Sequence, residues 1–424
     1  SATEPSTSRV TPSTTAPGCA AGLRVAPQST GHNARPLAAQ SLEDVVLLRT
    51  DRMRGVIIDS VRRIARVEGG ALWLDAVEPA ADHGLAALHG SSPGVGITGY
   101  TLGGGIGWYA RQLGLAANSL TAVELVTADG SVIRADASTH RELFWAIRGG
   151  GGNFGVVTAL EFRLYPIESA YAGMLVWDRS EAEKVLHRWA CWAPEAPDGV
   201  TTSFRILNLP PLPQIPEPLR GRSLAVIDGA VLGTDAEAER ILAALRETGP
   251  EIDTFARVPA RSLVRLHMDP EGPTPAVSDA TLVDELPDAA IGAFLDQVGP
   301  RSTSSLLSAE LRQLGGALGR VPEEHGALAT FDAQFLAFGV AVAATPELAM
   351  QGQLDAHALT AALEPWSSGR TCLNFAEDAV DARTGFDEVT WMQLKGIRSA
   401  LDPDDRFLAN HRIPRLFENG RVTD

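Results

Sequence analysis

The feature that most limits how this chain can fold is a pair of glycine clusters, at residues 94–107 and 149–155. Glycine allows positive φ angles and lets backbone N–H groups come close to a ligand, and a pyrophosphate is the usual anion bound in this way. A single cluster is commonly no more than a set of tight turns. Two clusters in one block of sequence favour an anion-binding site over turns alone.

The first cluster also has the spacing of a Rossmann dinucleotide motif, at Gly94, Gly96 and Gly99. A Rossmann site needs a hydrophobic strand directly before these glycines and a helix directly after them. Residues 85–93 are instead mixed and rich in turn formers, and residues 103–105 form a glycine triplet where the helix should run. The pattern therefore argues against an NAD site of the Rossmann type.

The sequence around the clusters predicts both strands and helices. Residues 122–127 and 131–135 are predicted to pair as a hairpin around Asp129-Gly130. Capping-box spacing predicts three helix starts, at Thr139–Glu142, Ser180–Glu183 and Thr234–Glu237. Because 424 residues are too many for one ordinary hydrophobic core, more than one domain is expected.

Charge and cysteine content narrow the possible partners. The 36 basic and 52 acidic residues give a net charge of −16, which disfavours nucleic acid and anionic membrane as partners, since both are bound through Lys and Arg. Cys19, Cys191 and Cys372 are too widely spaced for a disulfide framework or a zinc cluster, so no metal site is expected. The longest apolar run, residues 335–344, is too short to cross a bilayer, and no signal peptide is recognised, which predicts a cytoplasmic protein.

Several motifs, in the same order, resemble the flavin domain of the vanillyl-alcohol oxidase superfamily, and most of all its berberine-bridge-enzyme-like branch. They are RVAPQSTGHN (24–33), PGVGITGYTLGGGIGW (93–108), LVTADGSV (125–132), LFWAIRGGGGNFGVVTALEFRL (143–164), LNFAED (373–378) and LDPDDRFLANHRIP (401–414). The resemblance implies an FAD-linked oxidoreductase. It also implies an α+β fold, with a two-part FAD-binding domain of the PCMH type and a substrate domain of antiparallel sheet and helices.

The same resemblance predicts the domain organisation. Residues 22–168 would form the FAD-binding domain, residues 169–365 the substrate-binding domain, and residues 366–424 a C-terminal segment that returns to the FAD-binding domain. Residues 1–21 are rich in Ser, Thr, Pro and Ala and are predicted to be a disordered tail. The family's flavin domain opens with strands and a helix, but only 31 residues precede His32, so N-terminal strands are expected to be missing here.

The resemblance also assigns cofactor-binding residues. The family histidine that bonds covalently to the 8α carbon of the flavin ring corresponds to His32. Doubly tethered members carry a cysteine where this chain has Ser92, which cannot form a thioether, so a single tether is expected. Val95 stands where a small side chain beside the flavin is typical of members that react with O2, and is the expected oxygen gate. The remaining FAD contacts are expected at Pro27, Gln28, Ser29, Thr30, Gly31, Asn33, Pro93, Gly96, Gly99, Gly103, Gly104, Asn118, Gly152, Val157, Asn374 and Asn410.

The catalytic base stays open. The family often places a tyrosine two residues before the first of these C-terminal asparagines, and this chain has Cys372 there, which is expected to be a packing residue. The alternatives are Tyr109, Glu377, His411 or a side chain of the middle region.

The predicted function is a flavoprotein oxidase. It would take a hydride from a C–H bond next to an alcohol, amine or hemiacetal of a small molecule and pass the electrons to O2, giving H2O2. The alternatives are a dehydrogenase that uses another acceptor, and a truncated, non-catalytic ligand-binding protein on the same fold. The sequence leaves substrate identity and oligomeric state open.

Overall fold

The computed structural model describes residues 22–269, 272, 274–418 and 421–422, so the predicted tail at residues 1–21 lies outside the described residues. The strands are β1 (Arg24–Gln28), β2 (Val45–Arg49), β3 (Val56–Asp59), β4 (Ile64–Glu68), β5 (Leu120–Val126), β6 (Val132–Asp136), β7 (Val156–Arg163), β8 (Ser169–Asp178), β9 (Val200–Asn208), β10 (Ser223–Val231), β11 (Ile252–Asp253), β12 (Ala256–Pro259), β13 (Ala276–Val283), β14 (Ser308–Gln313), β15 (Phe335–Val342), β16 (Phe417–Glu418) and β17 (Arg421–Val422).

The α-helices are α1 (Arg35–Ala38), α2 (Trp73–Ala81), α3 (Ile97–Leu102), α4 (Ala110–Leu113), α5 (Arg141–Gly150), α6 (Ala182–Trp192), α7 (Asp235–Arg246), α8 (Asp288–Val298), α9 (Pro346–Leu363) and α10 (Glu388–Leu401). Short 3-10 turns lie at Ala116–Ser119, Gly151–Phe154, Arg179–Glu181, Ala193–Glu195, Ala260–Arg265, Gly316–Gly319, Glu364–Trp366, Leu373–Phe375 and Ala382–Gly385. Strands and helices are thus mixed, as an α+β fold requires.

The smaller of the two main sheets carries the glycine clusters at its ends. Its five strands lie in the order β3-β4-β7-β5-β6 and are antiparallel. The predicted hairpin is confirmed, because β5 pairs with β6 around a turn in which Gly130 has φ 83°. Helices α2 and α5 pack on this sheet through buried residues that include Trp73 and Ile147.

The capping-box hydrogen bonds are present at only one of the three predicted sites. Thr234 accepts from the N–H of Glu237, and the Glu237 side chain bonds back to the Thr234 N–H, so that capping box is confirmed. The predicted cap at Thr139 is wrong. The Asp136 carboxylate, at the end of β6, accepts from the N–H of Thr139 at 2.9 Å, and α5 begins only after His140.

The predicted cap at Ser180 is wrong for a similar reason. The Asp178 carboxylate accepts from the Ser180 N–H at 3.0 Å, and a 3-10 turn precedes α6. An aspartate at a strand end therefore takes the role that capping-box spacing assigned to a later residue.

The larger sheet is eight-stranded and antiparallel. Seven of its strands follow the order β11-β8-β10-β9-β14-β15-β13, and β12 also pairs with β8. Helices α6 to α9 cover one face and form the main apolar core with it, through residues that include Trp189, Leu242, Phe294, Leu359, Phe204, Ile206 and Leu311. Because strand side chains alternate, the residues between these point to the other face.

That other face packs against the end of the first glycine cluster. Ile106 and Leu115 share an apolar cluster with Leu314 and Leu336 of the large sheet. The end of the first glycine cluster and this face of the sheet are therefore in direct contact.

The C-terminal residues return to the N-terminal strands. β1 and β2 are parallel, and Val25 of β1 also bonds residues near the C-terminus: its N–H donates to Arg406 O at 2.7 Å and its carbonyl accepts from Leu408 N at 2.9 Å. None of the helices in the described residues is long and apolar enough to cross a membrane.

Candidate active site

The loop that carries His32 lies against the first glycine cluster. It follows β1 and turns through left-handed backbone at Gly31 (φ 81°) and Asn33 (φ 54°). A Cβ added to Gly96 would lie 2.7 Å from the Oγ of Ser29, so a glycine is required for this close approach. His32 itself is exposed at the tip of the loop, next to Thr30, and Pro27 is the last-but-one residue of β1.

Two asparagines of the C-terminal segment close the same region. The Asn410 side chain accepts from Gln28 Nε2 at 2.7 Å and donates to the Asn33 carbonyl at 2.5 Å. Asn374 donates to a backbone carbonyl of α3 at 2.9 Å, and its Oδ1 fills the place where a Cβ on Gly103 would stand. The histidine loop, the first glycine cluster and the C-terminal segment therefore meet in one region of the protein.

A buried ion-pair network holds the C-terminal segment in place. Arg398 of α10 lies 3.2 Å from Asp402 and 2.9 Å from Asp405, and it donates to the Phe407 carbonyl at 2.7 Å. Asp402 in turn accepts from the Phe407 N–H at 2.9 Å. These contacts give the LDPDDRFLANHRIP motif a physical role, which is to present Asn410 to the histidine loop.

The residues before α3 form one wall of the site. Val95 is half-buried against the apolar core, and its carbonyl accepts from Trp73 N at 3.0 Å. Pro93 is buried, and Ser92 beside it is half-buried. Gly104 has φ 121° and approaches Leu328, not the histidine loop. A Cβ at Gly104 would lie 2.8 Å from Leu328 Cδ2.

Two of the other predicted FAD contacts, Asn118 and Val157, have side chains that make contacts within the protein. The Asn118 side chain bonds the N–H of Gly326 at 3.1 Å and the carbonyl of Ala329 at 3.4 Å, so its amide ties down that segment. Val157 is buried in the core of the five-stranded sheet. Gly152 lies in the turn of the second cluster, half-buried.

The neighbouring Asn153 has a role that the sequence did not reveal. Its side chain donates to the His411 carbonyl at 3.0 Å and accepts from the Ile413 N–H at 2.9 Å. The second glycine cluster is thereby joined to the segment that carries Asn410.

A large cofactor can bind at these glycines only if open space lies next to them. A Cβ added to Gly31, Gly94, Gly99 or Gly152 would meet no atom within 4 Å. These four glycines belong to the histidine loop and to both clusters, so their bare Cα atoms border space that a ligand can fill. The arrangement fits an extended dinucleotide such as FAD, whose pyrophosphate can accept from loop N–H groups.

The candidate bases differ in protonation. Burial lowers the pKa of His411, with backbone groups of Leu373 and Ala376 opposing this, so the imidazole is neutral near pH 7. Burial raises the pKa of Tyr109, which therefore keeps its proton. Glu377 is half-buried beside the turn that carries Asn374. Cys372 is buried and burial raises its pKa to about 12, which agrees with a packing residue.

Sequence reasoning missed a buried group of charges on the large sheet, which we call the sheet-face charge cluster. Its members are Arg205, Asp228, His267, Glu310 and Arg312. Arg205 and His267 both lie against one Asp228 oxygen, at 2.7 and 2.8 Å. Arg312 lies 2.7 Å from Glu310 and its Nη2 is 3.1 Å from His267 Nε2.

The cluster connects to the rest of the site through aromatic rings. The ring of Trp108, from the first glycine cluster, lies 4.8 Å from that of His267, and the Arg312 guanidinium lies 5.3 Å above Phe375, next to Asn374. One sequence signal was available. Asp228 interrupts the otherwise uncharged and mostly apolar strand β10, where a charge is expensive to bury.

Comparison with known proteins shows the family of this chain. The family model described as an FAD binding domain matches residues 15–136. The (R)-6-hydroxynicotine oxidase of Paenarthrobacter nicotinovorans is 30% identical over 420 residues, which cover 93% of this chain and 86% of that protein. The chain belongs to the FAD-linked oxidoreductases of the vanillyl-alcohol oxidase superfamily.

Solved structures place this FAD-linked oxidoreductase in the same fold. The 6-hydroxy-D-nicotine oxidase of Arthrobacter nicotinovorans superposes with a TM-score of 0.76 at 26% identity, over 93% of this chain and 88% of that one. A BBE-like protein of Physcomitrella patens superposes with a TM-score of 0.82 at 18% identity, over 95% and 88% of the two chains. The predicted PCMH-type fold, as seen in a BBE-like protein, is confirmed.

Proposed function

We propose that this protein is an FAD-dependent oxidase that acts on a C–H bond next to an alcohol, amine or hemiacetal, with O2 as the electron acceptor. The observation that carries the proposal is the meeting of the histidine loop, the first glycine cluster and the C-terminal asparagines beneath a sheet face that bears buried charges. The relative that matches over most of the chain is named an oxidase of hydroxynicotine. When bound, FAD supplies the hydride acceptor for such a reaction.

The chain's own residues would hold FAD in three ways. The backbone of the loop around Gly31 and of the cluster around Gly96 presents N–H groups to the pyrophosphate. Asn374 and Asn410 present amide groups to the polar edge of the ring. His32 is exposed, and among the described residues its ring has no hydrogen-bond partner, so it is available for a covalent bond to the ring's 8α carbon. Ser92 adds no second bond.

We assign the proton-accepting role to His411. The substrate's O–H or N–H proton must go to a group that is unprotonated at neutral pH. The lowered pKa of His411 meets this condition, and the raised pKa of Tyr109 does not. The backbone of His411 is held by the second glycine cluster, because the Asn153 side chain donates to the His411 carbonyl at 3.0 Å.

Val95 supports O2 as the acceptor. Valine is smaller than leucine or isoleucine, and it stands at the position that the resemblance makes the oxygen gate. The Val95 side chain packs against the apolar core. Reoxidation by O2 requires an open path to the reduced flavin, and one added methylene can narrow such a path.

Spectroscopy and stopped-flow reoxidation test the proposal. The purified protein is expected to show flavin absorbance, and the dithionite-reduced protein to reoxidise in air within seconds with formation of H2O2. Val95→Leu should slow reoxidation while anaerobic reduction by substrate is kept, and His411→Asn should lower kcat and remove its dependence on a group that titrates below neutral pH.

Each failure identifies a different alternative. Slow reoxidation of the wild type would favour a dehydrogenase with another acceptor. Folded protein that carries no flavin, even after reconstitution with FAD, would favour the non-catalytic ligand-binding protein.

A further inference from the structure

A cavity of about 550 Å³ lies beside helix α5. The start of β5, the end of β7 and residues 323–325, from the connection between β14 and β15, form its other walls. Arg141, Trp145 and Arg148 of α5 line it together, because residues three and four positions apart lie on one face of a helix. Among the described residues, none of the histidine loop or of the two glycine clusters lines this cavity, so it is separate from the candidate flavin site.

The connection that forms one wall is a fixed part of the fold. The Gly326 N–H donates to the Asn118 side chain at 3.1 Å, and the Leu328 N–H donates to the Arg148 carbonyl at 3.2 Å. A Cβ on Gly326 would clash with that same carbonyl oxygen, so only glycine allows this close approach to α5. The cavity is therefore bounded by packed structure and not by a loose surface loop.

The most buried cation of the cavity is Arg148, which is 8% exposed. Its Nε donates to the Phe144 carbonyl at 3.1 Å and its Nη2 to the His325 carbonyl at 2.8 Å. Within the described residues, its Nη1 has no hydrogen-bond acceptor and no carboxylate lies within ion-pair distance of the guanidinium. Burial lowers the pKa of Arg148 to about 10, and Glu324 opposes this shift from a distance. An arginine is rarely buried without an anionic partner.

The carboxylates of the cavity stand at its rim. Glu142, Glu323 and Glu324 are exposed, and Glu324 is already paired with Arg163 at 3.3 Å. The Thr121 hydroxyl, in the wall, is buried and has no hydrogen-bond partner in the described part of the chain. Buried polar atoms are nearly always paired. The interior therefore offers a cation and a hydroxyl without a carboxylate, which favours an anionic ligand.

Apolar and aromatic side chains complete the wall. Leu120 is buried and Trp145 is half-buried, and both line the cavity. The Arg148 guanidinium lies 4.4 Å from the ring centroid of Phe144. A guanidinium matches a carboxylate in two parallel hydrogen bonds, and an apolar wall with a few polar groups is the usual form of a small-molecule site. An inorganic anion would use the arginine but would leave the apolar wall without contact.

We propose that this cavity binds a small aromatic carboxylate, with the carboxylate on Arg148 and Thr121 and the ring against Trp145. The site does not depend on the proposed oxidase function. A ligand that binds only the folded chain stabilises it, so an occupied cavity should raise the melting temperature.

Isothermal titration calorimetry of the holoprotein with benzoate tests the inference. Benzamide and benzamidine are neutral and cationic probes of similar shape, and inorganic phosphate is an anion without a ring. Benzoate is expected to bind saturably and to raise the melting temperature, and the other three probes to bind much more weakly. Arg148→Gln should weaken benzoate binding about tenfold or more, as loss of a hydrogen bond to a charged group predicts. Arg148→Lys should keep more affinity than Arg148→Gln, because the charge remains while the planar fork is lost.

Two further variants separate recognition from structure. Arg134→Gln removes an arginine of β6 that pairs with Glu161 at 3.0 Å and does not line the cavity, so benzoate affinity should stay at the wild-type value. Ala137→Trp fills the cavity from its exposed side and should weaken binding with Arg148 still in place, which keeps the test valid if Arg148→Gln does not fold. The flavin absorbance bands should not shift during the benzoate titration.

Four results would overturn the inference. They are benzoate affinity that both Arg148→Gln and Ala137→Trp leave unchanged, benzamide binding as tight as benzoate binding, binding of phosphate or benzamidine without benzoate, and binding of none of the probes. Benzoate that shifts the flavin bands and is insensitive to Arg148→Gln would place the ligand at the flavin instead. The oxidase proposal is decided separately, by reoxidation of the reduced flavin in air.

Discussion

Replacing Gly96 by alanine should lower the flavin content of the protein without unfolding it. The added Cβ would lie 2.7 Å from Ser29 Oγ and 3.3 Å from Thr30 Cγ2, closer than ordinary van der Waals contact. Gly96 has φ −68°, which alanine adopts without strain, so the cost falls on the histidine loop and not on the backbone. Overpacking of this kind costs about 1–3 kcal/mol. Applied to FAD binding, it corresponds to a loss of roughly 5- to 150-fold in affinity.

A second substitution makes this reasoning specific. Ser29→Ala removes the Oγ, after which the nearest Ser29 atom to the new Cβ would be its own Cβ at 3.7 Å. The double variant Gly96→Ala with Ser29→Ala should therefore regain part of the flavin that Gly96→Ala loses. Flavin per protein is measured by absorbance after purification, and melting temperature is followed in parallel. A single variant with full flavin content, or a double variant with no recovery at unchanged melting temperature, would refute the steric argument.

Three further outcomes are expected. Gly104→Ala should lower the melting temperature but leave the flavin content per folded protein unchanged. The reason is that φ 121° is strained for alanine and that the new Cβ would press on Leu328. An equal loss of flavin would place Gly104 at the cofactor instead. His32→Ala should release flavin colour from acid-precipitated protein, whereas Ser92→Ala should leave the colour in the pellet. Burial lowers the pKa of His89 to about 4. Between about pH 6.5 and 4 only the unfolded chain therefore binds a proton at His89, so the free energy of unfolding falls over that range by up to about 3 kcal/mol. His89→Gln should flatten this fall when melting temperature is measured over a series of pH values.

Features that depend on short-range backbone chemistry were predictable from the sequence. The turn at Gly130 and the capping box at Thr234 involve residues no more than three apart, and both are present. The sequence also predicts that position 96 needs a glycine, because two glycine clusters in one block favour a close approach of the backbone to a ligand. What the sequence could not show is that the partner of Gly96 is Ser29, since chain packing decides which loop approaches it.

At two positions, other parts of the chain make hydrogen bonds that the sequence pattern did not show. Thr139 had the spacing of a helix cap, but pairing of β6 with β5 sets Asp136 where its carboxylate reaches the Thr139 N–H first. Asn118 had a family position near the cofactor, and its amide is taken by residues about 210 positions later in the chain, at Gly326 and Ala329. The spacing of residues along the chain does not show which other groups compete for a hydrogen bond.

The sequence by itself determined the fold family, and it predicts which loops would bind FAD, because motif order and glycine placement are properties of the chain alone. Only the tertiary structure decided the sheet-face charge cluster. Arg205, Asp228 and Glu310 lie on three different strands, and they meet because the antiparallel register sets Arg205 opposite Glu310 and one strand away from Asp228, all on one face. A shift of one residue in any of these strands would turn its charge into the apolar core.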